Sequence, residues 1–354
     1  MTVKIHPEAL EKMKQYSLPA GELAFGKYMA PIMIIREFTN GKWNEAELVP
    51  YQNLAMDPCT KVLHYGQEIF EGMKAYKNTK GEVFLFRPDK NANRFNHSAE
   101  RMSMPQIPVH EFIESIEVIS KHCSHVIPQR PGEALYLRPF MIASEVGLGI
   151  KPANRFHFVV VASPSGNYFS SPNVKVYIER ELTRAAPGGT GSAKTGGNYA
   201  GSLSAYRRNL TLGLDQTLWL DAIHKKYIEE MSGMNFFAVI NDEIHTPELH
   251  DTILEGVTRE SLLLIAKELG YKTFERKIDV DDLMKLVQSG QCSEAFVCGT
   301  ASVLVPISSF HEGDGKIYSM KNPEGKISKI LREKMLSIQT GLIPSPDGWI
   351  RKIN

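Results

Sequence analysis

The chain has 354 residues, with 41 Lys and Arg against 40 Asp and Glu and a formal net charge of +1. That balance excludes the basic excess of a nucleic-acid-binding domain, and 42% hydrophobic with 23% charged residues suits a globular chain long enough for two cores. Four cysteines, Cys59, Cys123, Cys292 and Cys298, form no CxxC pair, which argues against a disulfide framework or zinc ribbon and for reduced thiols in a cytoplasmic setting.

The opening stretch MTVKIHPEALEKMKQY lacks the apolar run of a signal peptide, and no segment has the length of a membrane span, so no membrane partner is expected. MAPIMIIREF and GEVFLFRP read as strands. FRPDKNANRFNHSAERM carries Arg87, Arg94 and Arg101, of which one turned inward could pair with a phosphate. A helix follows at VHEFIESIEVISKHCSHV, where Phe112, Ile116, Ile119 and Cys123 recur at helical spacing. His122, Cys123 and His125 lie near its end without a convincing third and fourth ligand, so no metal is expected. EALYLRPFMI and FHFVVVAS are strand-like. SPSGNYFSSPN, rich in Ser, Pro, Gly and Asn, reads as an interdomain linker. The expected division is a smaller domain over 1–165, a linker over 166–173 and a larger domain over 174–354, in a mixed α/β fold. Further on, VKVYIERELTR, QTLWLDA, IEEMSGMNFFAVIND and EAFVCGT read as strands or hairpins, and GVTRESLLLIAKELG and VDDLMKLVQSG as helices.

Between these elements lies GGTGSAKTGGNYAGSL, with six glycines around Lys194. Each glycine costs roughly 0.5–1 kcal/mol relative to alanine in regular structure, so the loop needs a reason. Three readings compete. A plain surface turn explains nothing else in the chain. A phosphate loop of the GxxxxGK[ST] type fails at Ala193, and Gly196 with Gly197 disfavours the helix that should open at the lysine, although Asp221 after TLWL offers a magnesium-holding acid. A lysine that condenses with a cofactor aldehyde needs open backbone around it, together with a carboxylate for a ring nitrogen, a donor for a ring oxygen and a phosphate cradle. Candidates for all three exist. Glu230 precedes a turn of small residues, and Tyr199 follows Lys194 by five positions. Gly256, Val257 and Thr258 open a helix, where free N–H groups bind anions, and Gly299, Thr300 and Ala301 form a second small-residue turn after a strand.

LHYGQEIFEGMKAY, LFRPDKNANR, ALYLRPFMIA, the lysine block with GGNYA, YIEEMSGMNFF, HTPELHDTILEGVTRES and CGTAS occur in one order along nearly the whole chain. Together they resemble branched-chain-amino-acid aminotransferases, pyridoxal 5'-phosphate enzymes of fold type IV. The resemblance implies a two-domain fold with the active site at the domain interface, a homodimer, and transfer of the amino group of leucine, isoleucine or valine to 2-oxoglutarate. It implies that Lys194 bonds the cofactor and moves protons, that Glu230 meets the pyridine nitrogen and that Tyr199 meets the ring oxygen. Arg94, Val257, Thr258 and Thr300 are implied at the phosphate, with Thr300 and Ala301 at the substrate carboxylate. Tyr65 and Phe70 are implied as walls of the side-chain pocket, Tyr136 and Arg138 at the second carboxylate of glutamate, and Leu148, Ile150 and Tyr65 as reaching a neighbouring subunit's site. Ser302 and Val305 occupy the positions of the CxxC redox switch of mammalian members, so no such switch is expected. D-amino-acid aminotransferase is the alternative within the fold, and a P-loop NTPase or a cofactor-free binding protein the alternatives outside it.

Overall fold

The computed structural model of the protein describes residues 3–353, and its chain divides into two compact units. The first holds residues 3–168, 193–196 and 337–353; the second holds 169–192 and 197–336. The change of unit at 168/169 falls within the Ser/Pro/Gly-rich stretch. The C-terminal residues differ from the expected contiguous division: 337–353 return to the first unit, where Ile350–Ile353 pairs antiparallel with Val83–Phe86. Four residues around the lysine, 193–196, also belong to the first unit.

The first unit is built on a ten-stranded sheet. Its two long strands, Ala134–Ala143 and Phe156–Ser165, pair antiparallel over their full length. Alternation along ALYLRPFMIA assigns the two faces. Leu135, Leu137 and Met141 are fully buried in a core with Phe95 of helix Pro88–Arg101 and Phe112 and Ile116 of helix Val109–His122. Tyr136, Arg138 and Phe140 point to the opposite face, which the functional side chains use. The short strand Glu68–Phe70 pairs with the distal end of the same long strand, Phe70 opposite Phe140.

In the second unit the strand order is Ile228–Met231, Gln216–Leu220, Val174–Glu179, Val303–His311, Cys292–Gly299 and Asn235–Ile240, and a further pairing of Glu230 with Asn235 closes these six into a ring. A short polar side chain sets one helix start beside it. Asp279 accepts from the backbone N–H of Asp281 and Asp282 and begins helix Val280–Ser289, which Gly290 ends at a φ of 80°.

One acid of this unit ties a strand to a helix. Glu294, buried in strand Cys292–Gly299, accepts from the N–H groups of Lys326, Ile327 and Ser328 and from the Ser328 hydroxyl, all within 2.9 Å. These are the first donors of helix Lys326–Gln339, and the carboxylate also meets the positive end of its dipole. Gly325 makes the approach possible, since a Cβ there would stand 2.6 Å from Glu294 Oε2. Glu294→Ala is expected to lower stability by about 3 kcal/mol, the sum of a lost cap and charged hydrogen bonds, read as an earlier urea midpoint. A midpoint within error of wild type would contradict the anchoring role.

Candidate active site

Lys194 is seated by its backbone. Its N–H donates to Ser98 Oγ at 2.9 Å, and its carbonyl accepts from the N–H of Phe70 at 3.0 Å. Ser98 is fully buried on helix Pro88–Arg101, and Phe70 ends the short strand, so the lysine is held between a helix and a strand of the first unit. Glu68 completes the seat: its carboxylate accepts from the Thr195 hydroxyl at 3.2 Å and from the N–H of Gly196. Burial pushes the Glu68 carboxyl above the ordinary range, and the Gly196 N–H, the Thr195 hydroxyl and the Arg138 charge oppose that rise.

The Lys194 ammonium lies 4.8 Å from the centroid of the Phe70 ring. The Arg138 guanidinium lies 4.7 Å from the same centroid and donates through Nη2 to the Tyr136 hydroxyl at 3.1 Å. Gly72 leaves room for that hydroxyl, because a Cβ at 72 would stand 2.2 Å from it. Tyr136, Arg138 and Phe140, together with Val159, Val161 and Ser163 of the neighbouring strand, wall a cavity of about 620 Å³. Buried Arg138 Nε finds no hydrogen-bond partner there among the described residues. A cavity with apolar walls from Phe140, Val159 and Val161 and polar groups from Arg138, Gln52 and Asn53 suits a side chain that is either aliphatic or carboxylate-tipped.

Beneath Lys194 is a fully buried acid. Glu71 receives Arg94 Nε at 2.7 Å and Arg94 Nη2 at 2.9 Å, a bidentate pair, with Asn91 Nδ2 at 2.8 Å and the N–H of Gly72 at 3.1 Å. Burial alone would raise its carboxyl, yet the charges of Arg94 and Lys194 and these hydrogen bonds hold it below the ordinary range. Tyr65 and the 144–155 loop form an exposed group of their own. The Tyr65 hydroxyl donates to the Leu148 carbonyl, and Ile150 is 89% exposed.

The second unit holds the remaining expected residues. In strand Ile228–Met231 the side chains alternate, so Glu229 and Glu230 face opposite ways although both are buried. Glu230 pairs with Arg184 at 3.1 Å and accepts from Asn235 Nδ2 at 3.2 Å and the N–H of Leu254 at 3.1 Å. Glu229 takes the Thr252 hydroxyl at 2.6 Å; burial pushes its carboxyl up, against that bond and the Arg184 charge. The two acids of one dipeptide thus meet different partners, and Glu229 is biased toward neutrality.

Asn235 links Glu230 to the next feature. Its Oδ1 would stand 2.0 Å from a Cβ on Gly256, the N-cap of helix Val257–Glu268. No side chain caps this helix, so the N–H groups at Val257 and Thr258 carry the positive end of the dipole without an internal acceptor from the cap. Gly299, Thr300 and Ala301 form the tight turn between strands Cys292–Gly299 and Val303–His311. Val303 closes the turn at a φ of 64°, a strained value for a β-branched residue and one found where local geometry is over-determined by its surroundings. Tyr199 is half-buried, and a Cβ on Gly233 would touch its ring at 3.5 Å.

These residues separate the readings of the lysine loop. Asp221 accepts from the N–H groups of His224, Lys226 and Tyr227 and holds a turn, which removes it as a magnesium-holding acid. Strand Val174–Glu179 ends well before Gly188, whose N–H donates to Asp251 Oδ2 at 2.6 Å. One expectation is corrected: Gly196 and Gly197 do not prevent helix, since Gly196–Ala200 forms a single helical turn, its start fixed by the bond from Gly196 to Glu68. Sequence reasoning missed Glu68, Glu71, Ser98, Arg184 and Asn235. The one available signal was for Glu71, a lone acid inside the otherwise apolar run IFEGM.

Comparison with known proteins agrees with this chemistry. The family model for amino-transferase class IV matches residues 68–310. A probable branched-chain-amino-acid aminotransferase of Streptomyces coelicolor is 42% identical over 99% of both chains. The branched-chain-amino-acid aminotransferase of Mycolicibacterium smegmatis is 43% identical over 93% of this chain and 92% of its own. Among solved structures, a T.th. branched-chain amino acid aminotransferase complexed with N-(5'-phosphopyridoxyl)-L-glutamate superposes with a TM-score of 0.73 at 28% identity, covering 90% of this chain and 98% of its own. A lysine held by its backbone, an acid paired with Arg184 and an uncapped helix start on one chain, matched from end to end by such relatives, leave one assignment: the chain belongs to the class IV amino-transferase family, among its branched-chain-amino-acid aminotransferases.

Proposed function

We propose that this aminotransferase moves the amino group of leucine, isoleucine or valine to 2-oxoglutarate with pyridoxal 5'-phosphate, and that Lys194, Glu230 and Arg138 divide the work. The observation that carries the substrate reading is the Tyr136–Arg138 pair: it lines a cavity with Phe140, Val159 and Val161, and its guanidinium shares the Phe70 ring with Lys194. Leucine gains roughly 1.5–3 kcal/mol from full burial of its side chain. A glutamate carboxylate in the same chamber needs a charged donor, and Arg138 Nε is available to give one.

The residues fit the cofactor. Glu230, which meets Arg184, Asn235 Nδ2 and the Leu254 N–H, is suited to accept a hydrogen bond from a protonated pyridine nitrogen. The uncapped start of helix Val257–Glu268 suits a phosphate, with Gly256, Val257 and Thr258 as backbone donors and Arg94 and the Gly299–Thr300 turn as further ones. Tyr199 is the donor for the ring oxygen. Bound here, pyridoxal phosphate supplies an aldehyde to take the amino group and a ring to draw electron density from the substrate Cα. With the cofactor bound, Lys194 Nζ would take the substrate Cα proton and hold it for return as the amino group moves, and the backbone seat on Ser98 and Phe70 fixes the base from which that nitrogen reaches. Thr300 and Ala301 hold the substrate α-carboxylate, and Tyr65 with Phe70 walls its side chain.

The exposed apolar side chains of Leu148 and Ile150, with Tyr65 bonded to the same loop, support a homodimer in which this loop meets a second copy. Cys123, Cys292 and Cys298 are buried and unpaired, in keeping with a reducing cytoplasm. No helix among the described residues is long and apolar enough to cross a membrane.

Single-turnover kinetics test the division of labour. Arg138→Met is expected to slow the glutamate half-reaction about a hundredfold, as lost charged hydrogen bonds imply, while leucine stays within about threefold. Equal losses for both amino acids would refute the role given to Arg138. Glu230→Gln is expected to lower turnover by about a hundredfold or more, as does loss of a positioned electrostatic partner elsewhere. Turnover within a factor of two of wild type would remove Glu230 from the mechanism.

A further inference from the structure

The proposed use of Arg94 at the cofactor phosphate leaves a question about Arg94 itself. A long side chain has many rotamers, and a phosphate arginine must present one edge of its guanidinium in a fixed plane. Here the opposite edge is already taken. Glu71, with no exposed surface, binds Nε and Nη2 of Arg94 side on, and Asn91 and the Gly72 N–H fix the carboxylate in turn.

Resting on that reading of Arg94, we infer that Glu71 is a positioning residue for the phosphate end of the site: it does not touch the cofactor but sets the plane of the guanidinium that does. The sequence shows how. Glu71 follows Phe70, whose N–H seats Lys194, and precedes Gly72, whose missing side chain admits the Tyr136 hydroxyl. One three-residue step therefore aligns the lysine, the phosphate arginine and the Tyr136–Arg138 pair. Arg94, Asn91 and Ser98 all come from the same helix, Pro88–Arg101, so the acid also locks this helix to the strand edge that holds Lys194. A buried carboxylate with four good hydrogen bonds is stable in that place, and removing its charge leaves the arginine without its seat.

Glutamine is the informative replacement. It keeps the shape but offers one acceptor and one donor where Arg94 and Asn91 together require acceptors on both oxygens. The guanidinium is then displaced from its plane. The test is the affinity of the full-length chain, freed of cofactor, for pyridoxal phosphate and for pyridoxal, which lacks the phosphate. Glu71→Gln is expected to weaken pyridoxal phosphate about tenfold, the scale of one lost charged hydrogen bond, with pyridoxal within about twofold. Arg94→Gln is expected to give the same selective loss, and the double variant no more than Arg94→Gln alone. Equal weakening of both ligands by Glu71→Gln, tighter binding of pyridoxal phosphate, or fully additive losses in the double variant would overturn the role of Glu71 while leaving Arg94 at the phosphate. No selective loss in Arg94→Gln would instead remove the reading on which the inference rests. Should Glu71→Gln fail to fold, Asn91→Ala removes one bond of the same seat and is expected to give a selective loss of about threefold; no selectivity there would overturn the inference.

Discussion

Two backbone hydrogen bonds fix the base of the Lys194 side chain. A lysine side chain has four rotatable bonds and, left on a surface loop, samples a wide volume. Here the N–H of Lys194 is tied to a buried serine and its carbonyl to the edge of a strand, so the side chain starts from a fixed base. Of the flanking glycines, Gly196 serves that docking directly, since a Cβ there would stand 2.5 Å from Glu68 Oε1.

Charge is handled by opposite means in the two units. In the first, Glu71 is surrounded by donors and by the charges of Arg94 and Lys194, so an acid without solvent remains ionised. In the second, neighbouring acids in one strand have different partners. Glu230 has Arg184, Asn235 and a backbone N–H, while Glu229 has chiefly a threonine hydroxyl and is pushed toward its neutral form. Adjacent residues in a strand face opposite sides, which is how one dipeptide supplies both environments.

The sequence was legible where chemistry and periodicity are local. The long strands, the helices after residues 109 and 257, the lysine loop and the two small-residue turns can be read from spacing and composition, and the motif order added the residue roles. The supports could not be read, because they are long-range. Glu68 meets Gly196 across 128 positions, Ser98 meets Lys194 across 96, and Glu71 meets Arg94 across 23. No local pattern marks a serine as the acceptor for one particular lysine amide. The division of the chain was obscured for the same reason: the last strand, IRKI, looks like any short C-terminal segment until it pairs with Val83–Phe86. The glycine pair at 196–197 misled because helix propensity is a weak prior that one well-placed acceptor overrides.

Everything assigned to the site assumes that the amine of Lys194, and no other, carries the cofactor. Borohydride reduction of the purified protein loaded with pyridoxal 5'-phosphate, followed by peptide mapping, tests this directly. The expected result is a single pyridoxyl label on the peptide bearing Lys194, with no label when that residue is replaced by alanine. A label on any other lysine, or a protein that takes none, would contradict it.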